Sequence, residues 1–85
     1  PHTILKFEQI RNQGIQIDEA AVINTVLFPQ HVTPGYRNRL IAQSPLDARK
    51  VLRVVYEESD EEIVIVTFYP GRRARYEWNG VQQRG

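Results

Sequence analysis

Lys50-Val51-Leu52-Arg53-Val54-Val55-Tyr56-Glu57-Glu58-Ser59-Asp60-Glu61-Glu62-Ile63-Val64-Ile65-Val66-Thr67-Phe68-Tyr69 is the stretch on which the fold turns. Two runs rich in Val, Ile, Thr and Tyr flank the polar Ser59-Asp60, which predicts a β-hairpin with strands Lys50–Glu58 and Glu61–Tyr69. With an even-length loop, Glu58 faces Glu61, Tyr56 faces Ile63, Val54 faces Ile65, Leu52 faces Thr67 and Lys50 faces Tyr69. The opposite face then holds Val55 with Val64, Arg53 with Val66 and Val51 with Phe68; an odd-length loop scrambles these pairs. Both faces carry apolar residues, so one predicts an exposed, partly apolar surface studded with Arg, the kind of surface that binds a partner.

Working towards the N-terminus, Ile4, Leu5, Phe7 and Ile10 fall near one face of a helix over residues 3–13, which Gly14 stops. A second helix starts at Asp18 as N-cap, with Glu19 in its first turn and Ile17 and Val22 placed as a hydrophobic staple. Val22, Ile23, Val26 and Leu27 form its buried stripe, and Pro29 closes it. Pro34-Gly35 then makes a turn, Tyr36–Gln43 is extended, and Ser44-Pro45-Leu46-Asp47 is a loop. Beyond the hairpin, Pro70-Gly71 ends a strand and Arg72–Trp78 reads as a further one. The expected architecture is α+β: two N-terminal helices packed on one face of a three- to four-stranded antiparallel sheet. Residues 1–78 form this single domain, and residues 79–85 are a flexible tail.

Composition narrows the function classes. A chain of 85 residues buries only about 60–65% of its unfolded surface, which limits its core. It has no cysteine for disulfides or thiolate metal sites. No apolar run approaches the roughly 18 residues of a membrane span. A soluble, cytoplasmic protein with neither cofactor nor metal is the expectation. The net charge of +1 conceals a strong pattern. Residues 36–56 carry Arg37, Arg39, Arg49, Lys50 and Arg53 against Asp47, whereas Glu57, Glu58, Asp60, Glu61 and Glu62 crowd the hairpin tip. Nine of the eleven basic residues are Arg, the side chain suited to bidentate phosphate contacts.

The most specific motif is a repeated hexapeptide, P-G-x-R-x-R. It occurs as Pro34-Gly35-Tyr36-Arg37-Asn38-Arg39 and as Pro70-Gly71-Arg72-Arg73-Ala74-Arg75. If a turn launches an extended segment in each, two Arg spaced by two share a face. Arg37, Arg39, Arg73 and Arg75 are then candidates for gripping phosphates of single-stranded RNA. Arg72 adds to this basic segment, and Tyr36, Tyr69 and Tyr76 offer stacking surfaces. The competing reading is that edge-strand Arg residues guard against aggregation. Arg53 interrupts an apolar strand, so it is either solvated or placed to stabilise an anion. Lys50 and Tyr69, opposite one another in the expected register, are a candidate acid/base pair or an ordinary cross-strand pair. His2 and His31 fit no metal-ligand spacing and read as surface residues, and the acidic run reads as a solvated turn.

Gly14-Ile15, the Asp18–Leu27 helix, Pro29, Leu52–Tyr56 and Ile63–Pro70 resemble a widespread family of small bacterial proteins, itself similar to the BrnT and RelE class of type II toxins. The resemblance covers most of residues 5–76. It implies a compact ribonuclease fold shared with barnase-like nucleases, RNA cleavage without a metal, and neutralisation by a cognate antitoxin encoded beside the toxin. Arg53 and Tyr69 match the family's strand motif directly, while Arg72, Arg73, Arg75 and Tyr76 match its looser basic segment. With Lys50, Arg53 and Tyr69 are the candidate catalytic residues. Arg37, Arg39, Arg72, Arg73, Arg75 and Tyr76 are the candidate RNA-binding residues. The chain departs from the family in its first helix, where Leu5, Gln9 and Gln13 stand in place of a histidine and two arginines. Fold does not settle activity. The alternative expectation is a non-catalytic module that forms a homodimer or binds a protein through Val51, Arg53 and Val55.

Overall fold

A computed structural model describes residues 4–7 and 17–76. Its strands are β1 (Ile4–Phe7), β2 (His31–Pro34), β3 (Leu40–Pro45), β4 (Lys50–Glu58) and β5 (Glu62–Arg72). The helices are α1 (Glu19–Leu27) and the single turn α2 (Arg73–Tyr76). All five strands form one sheet in the order β1-β5-β4-β3-β2, with β1 parallel to β5 and every other pairing antiparallel. One helix of useful length, following the first strand, covers one face.

This corrects the expectation of two N-terminal helices on an antiparallel sheet. Residues 4–7 of the expected first helix are a strand, and residues 8–13 lie outside the described residues. Alternating half-buried and exposed side chains along Ile4–Phe7 turn Leu5 and Phe7 towards the core. A short apolar run satisfies both the helical and the strand period, and tertiary pairing decides between them. Here β5 offers its outer edge, where Leu5 pairs with Ile63 and Phe7 with Ile65. The segment beyond Arg72 is also corrected: Arg73–Tyr76 is helical, and residues 77–85 lie outside the described residues.

The hairpin is present, with β4 spanning Lys50–Glu58 as expected, but its register differs. Glu58 pairs with Ile63, Tyr56 with Ile65, Val54 with Phe68 and Arg53 with Tyr69. Lys50 faces Arg72 rather than Tyr69. The ladder shifts between Val55 and Tyr56, leaving Val66 as an additional residue on β5. The spacing of the apolar residues explains the bulge. Ile63, Ile65 and Phe68 are spaced by two and then three, so an extra residue is required to turn all three to one face. All three are buried in the core.

That core lies between the sheet and α1. Val22 and Val26 of α1 pack on Ala42, Leu52, Val54, Tyr56, Ile63, Ile65 and Phe68. The expected stripe on α1 is corrected in part, because Leu27 is half exposed and Thr25 is buried instead. Thr25 tolerates burial because its hydroxyl donates to the Ala21 carbonyl at 2.8 Å and shares a 2.6 Å hydrogen bond with Ser44. Asp18 occupies the N-cap, but its carbonyl rather than its side chain meets the helix, accepting the amides of Ala21 and Val22.

Tyr36–Gln43 is not extended throughout. Tyr36–Asn38 forms a 3-10 turn in which Arg37 and Asn38 take left-handed angles, φ 59° and 63°. This turn lets Pro34 and Leu40 pair, so His31–Pro34, expected as a connection, becomes the edge strand β2.

Ile65 is fully buried whereas its bulged neighbour Val66 is not. Ile65→Ala should cost about 2–5 kcal/mol in urea unfolding; Val66→Ala should cost under about 1 kcal/mol. Burial pushes the Tyr56 phenol above its ordinary value of 10.0, and Glu58 adds to the shift. The folded state therefore holds the neutral phenol. Stability contributed below about pH 10 is lost as pH rises towards the folded-state value. Tyr56→Phe should remove that part of the alkaline loss, measured as the urea midpoint against pH.

Candidate functional site

The face opposite α1 carries a polar row across four strands. His31 pairs with Gln43, Gln43 with Arg53, and Arg53 with Tyr69. Strand alternation places all four away from Ala42, Leu52 and Val54, which face α1. At about 4.8 Å per strand, the row spans roughly 14 Å between its outer Cα atoms.

Arg53 is the centre of the row and is only 9% exposed, beside a fully buried Gln43. Its Nε donates to the Tyr69 hydroxyl at 3.1 Å, and its Nη1 donates to Gln43 Oε1 at 2.6 Å. Gln43 passes the orientation on, its Nε2 donating to Gln30 Oε1 at 3.3 Å. The Tyr76 ring lies over the guanidinium, 3.9 Å from Cζ to the ring centroid. Such stacking contributes about 0.5–2 kcal/mol. No carboxylate joins it: the ion pairs among the described residues are Lys6–Glu62 and Arg39–Glu57. A guanidinium has five N–H donors and stays cationic. Neutral partners therefore fix Arg53 in place while leaving its charge uncompensated.

Gly71 makes the stack possible. A Cβ there would stand 2.4 Å from Tyr76 Cε2 and 2.8 Å from Cδ2, closer than real atoms approach. The ring rests on bare backbone. The corner that carries it is tied down by the Arg73 amide, which donates to the Arg49 carbonyl at 2.8 Å, and by Arg73 Nη1, which donates to the Asp47 carbonyl at 3.3 Å. Asp47 Oδ1 accepts the amides of Arg49 and Lys50, both at 2.8 Å. The amide hydrogen bond from Arg49 is the main cause holding the Asp47 carboxyl below its ordinary value, with the Lys50 amide and both nearby cations contributing.

On the other side of Tyr69, a groove of about 550 Å³ is lined by Pro34, Gly35, Tyr36, Arg39, Ile41 and Val55 together with Tyr69 itself. Tyr36 is 89% exposed at its rim. Arg39 Nε donates to Glu57 at 2.8 Å.

The sequence-predicted residues thus separate into three groups. Arg53, Tyr69 and Tyr76 come together in one stack. Lys50, Arg72 and Arg73 gather at the neighbouring corner with Arg49, and Arg75 follows beside Tyr76. Arg37 and Arg39 lie near the opposite end of the sheet, since Leu40 pairs with Tyr56 whereas Lys50 pairs with Arg72. The distance along β4 between those ends is roughly 20 Å. The two hexapeptides therefore do not converge, and neither continues as an extended segment. Lys50 lies three positions from the Arg53–Tyr69 pair and, by alternation, on the other face. Val51 and Arg53, expected at a protein interface, are buried within the monomer, and Val55 is half buried.

Sequence reasoning missed Gln43, Gln30, Gly71 and the position of His31. Gln43 carried a signal, a long polar side chain directly after Leu40-Ile41-Ala42 in the same strand. The place of His31 in the row depended on recognising a four-residue strand with a proline at its end.

Compared with protein-family models, curated proteins and solved structures, the chain matches none. The resemblance to the BrnT and RelE class rests on the sequence motifs alone. Among the described residues, no three His, Asp or Glu side chains gather as metal ligands, and no helix is long and apolar enough to cross a membrane.

Gly71→Ala should expel Tyr76 from its seat and cost about 1–3 kcal/mol. Tyr76→Ala should cause a comparable loss. Combined, the two should cost less than their sum, because each removes the same contact. Chemical denaturation of the four proteins of the cycle measures the coupling.

Proposed function

We propose that the protein binds single-stranded RNA on the open face of its sheet and cleaves it without a metal ion. The observation that carries this reading is Arg53, a nearly buried cation oriented by Tyr69, Gln43 and Tyr76, with no acid beside it among the described residues. A buried charge without a counter-charge is costly. A bound phosphate supplies that counter-charge, and a preorganised guanidinium favours the more highly charged phosphorane of the transition state.

Tyr69 beside Arg53, and His31 two strands away in the same row, supply the proton transfers. The Tyr69 hydroxyl accepts from Arg53 Nε, so its own hydrogen is available to a phosphate oxygen or to the departing 5′-oxygen. His31, exposed at the end of the row, is the candidate base for the 2′-hydroxyl. The 2′-oxygen loses its proton to this base and bonds to phosphorus. The bond from phosphorus to the 5′-oxygen breaks, and that oxygen leaves with a proton. The products are a 2′,3′-cyclic phosphate and a 5′-hydroxyl. Tyr76 and Tyr36 offer faces for bases, and Arg72, Arg73 and Arg75 attract the backbone on one side.

A second reading is favoured by the groove beside Tyr36. Its apolar walls and highly exposed aromatic rim suit a protein partner, such as a cognate antitoxin or a second copy of the chain, laid over the same face. As an inhibitor, such a partner would cover Tyr69.

The test is cleavage of single-stranded RNA in EDTA. Wild-type protein should yield 2′,3′-cyclic phosphate ends. Arg53→Met removes the charge while filling the site, so the fold should persist while the cleavage rate falls by about 10²–10³-fold. His31→Ala should lower the rate by about 10²–10⁴-fold. RNA left intact by folded wild-type protein defeats the cleavage reading, and growth arrest unaltered by Arg53→Met places the activity elsewhere.

A further inference from the structure

We propose that the corner between the β3–β4 loop and the β5–α2 junction is a second phosphate site, which holds a neighbouring phosphate of the same RNA strand. This rests on the reading of Arg53 as the scissile-phosphate site. Lys50 and Arg72 face one another directly across β4 and β5, and with Arg49 and Arg73 they line a hollow of about 490 Å³. Like charges directly opposite destabilise a strand pair. The fold nevertheless builds this arrangement with local hydrogen bonds. The Lys50 carbonyl accepts the amides of Leu46 and Asp47, closing the loop, and the Arg73 amide is bound to the Arg49 carbonyl.

Among the described residues, the carboxylate at this corner is Asp47, one negative charge that acts on Arg49 and Lys50 from a distance without pairing with either. Asp47 Oδ1 is engaged by two backbone amides, and among the described residues neither Arg49, Lys50 nor Arg72 forms an ion pair. Arg49, Lys50 and Arg72, on a pinned backbone and lining one hollow, match the two non-bridging oxygens and the negative charge of a backbone phosphate. An adjoining hollow shares Arg72 and Ala74 with this one and continues past Arg75 to Tyr76, the ring that covers Arg53. Because Lys50 and Arg72 lie on the other face by alternation, the path from the corner to the polar row runs around the strand ends, by way of Ala74, Arg75 and Tyr76. Three residues along β4 separate Lys50 from Arg53, roughly 10 Å. That spacing requires a substrate with at least one phosphate beyond the scissile one.

Two measurements on three proteins test the site: wild type, the double variant Arg49→Gln/Arg72→Gln, and Arg53→Met. The first is thermal unfolding with inorganic tripolyphosphate as probe. Without the anion, the double variant should melt at or above the wild-type temperature, because the opposed charges are relieved. Tripolyphosphate should raise the melting temperature of wild type and Arg53→Met, and should raise that of the double variant by less than half as much, the remainder coming from its intact Arg53. The second is binding of a single-stranded oligoribonucleotide over a range of salt. The double variant should bind about tenfold more weakly, and its slope of log affinity against log salt should be shallower by about 1–2.

A tripolyphosphate shift as large in the double variant as in wild type overturns the site. A shift reduced in that variant with unchanged RNA affinity assigns the corner to free polyphosphate and overturns the RNA assignment. Intact RNA after incubation with wild type, with both expected differences present, defeats the cleavage reading alone. Cleavage with neither difference defeats the second site alone.

Discussion

One additional residue on β5 sets both faces of this protein. The bulge at Val66 changes the parity of the strand, so Ile63 and Ile65 before it and Phe68 after it all reach the α1 side. The same shift turns Tyr69 to the other side, opposite Arg53. Without the bulge, the strand must either expose Phe68 or lose Ile63 and Ile65 from the core. The hydrophobic requirement of the core thereby positions a polar pair on the opposite face. Core and site are linked through one backbone irregularity, as is common where bulges aim a side chain.

Arg53 shows what that linkage costs and what it fixes. A Leu or Met at this position would fill the space without desolvating a charge, and buried cations generally lower stability unless well partnered. The partners here are neutral and directional. Gln43 and Tyr69 hold two edges of the guanidinium, and Tyr76 covers a face. They determine orientation while leaving net charge on the site, which distinguishes it from an internal ion pair. Gly71 extends the same logic to the backbone, since only the absence of a Cβ admits the covering ring.

Legibility in the sequence followed the length and regularity of each element. β4 is a nine-residue run of strand formers, and both its ends were readable. α1 was readable from its N-cap, staple and closing proline. The four residues of β1 were not, because Ile4, Leu5 and Phe7 satisfy either period and the deciding partner, the outer edge of β5, is nearly sixty residues away. Register failed for a related reason: a bulge is a response to packing on both sides of a strand, and local propensity does not report it. The site was half legible. Arg53 and Tyr69 stand out as a charge in an apolar strand and an aromatic before a proline. Their mutual contact, the buried Gln43 between Arg53 and Gln30, and the seat for Tyr76 all depend on register.

The balance of charge takes a different meaning in this geometry. Glu57, Glu58, Asp60, Glu61 and Glu62 cluster at one end of the central hairpin, and Arg49, Lys50, Arg72 and Arg73 at the other. A chain with a net charge of +1 is thus strongly polar along its two longest strands. The acidic tip repels a polyanion, and Glu57 holds Arg39 beside it, so part of the basic charge at that end is compensated. Among the described residues, the unpaired basic side chains nearest the open face lie at the end that carries Tyr76 and Arg75. The field acts before any contact forms and falls off over roughly 8–10 Å at physiological salt, comparable to the distance from Lys50 to Arg53. In the RNA-binding reading proposed above, charge polarity would direct a phosphate chain to the half of the sheet where Arg53 lies, which uniform positive charge of the same total would not do.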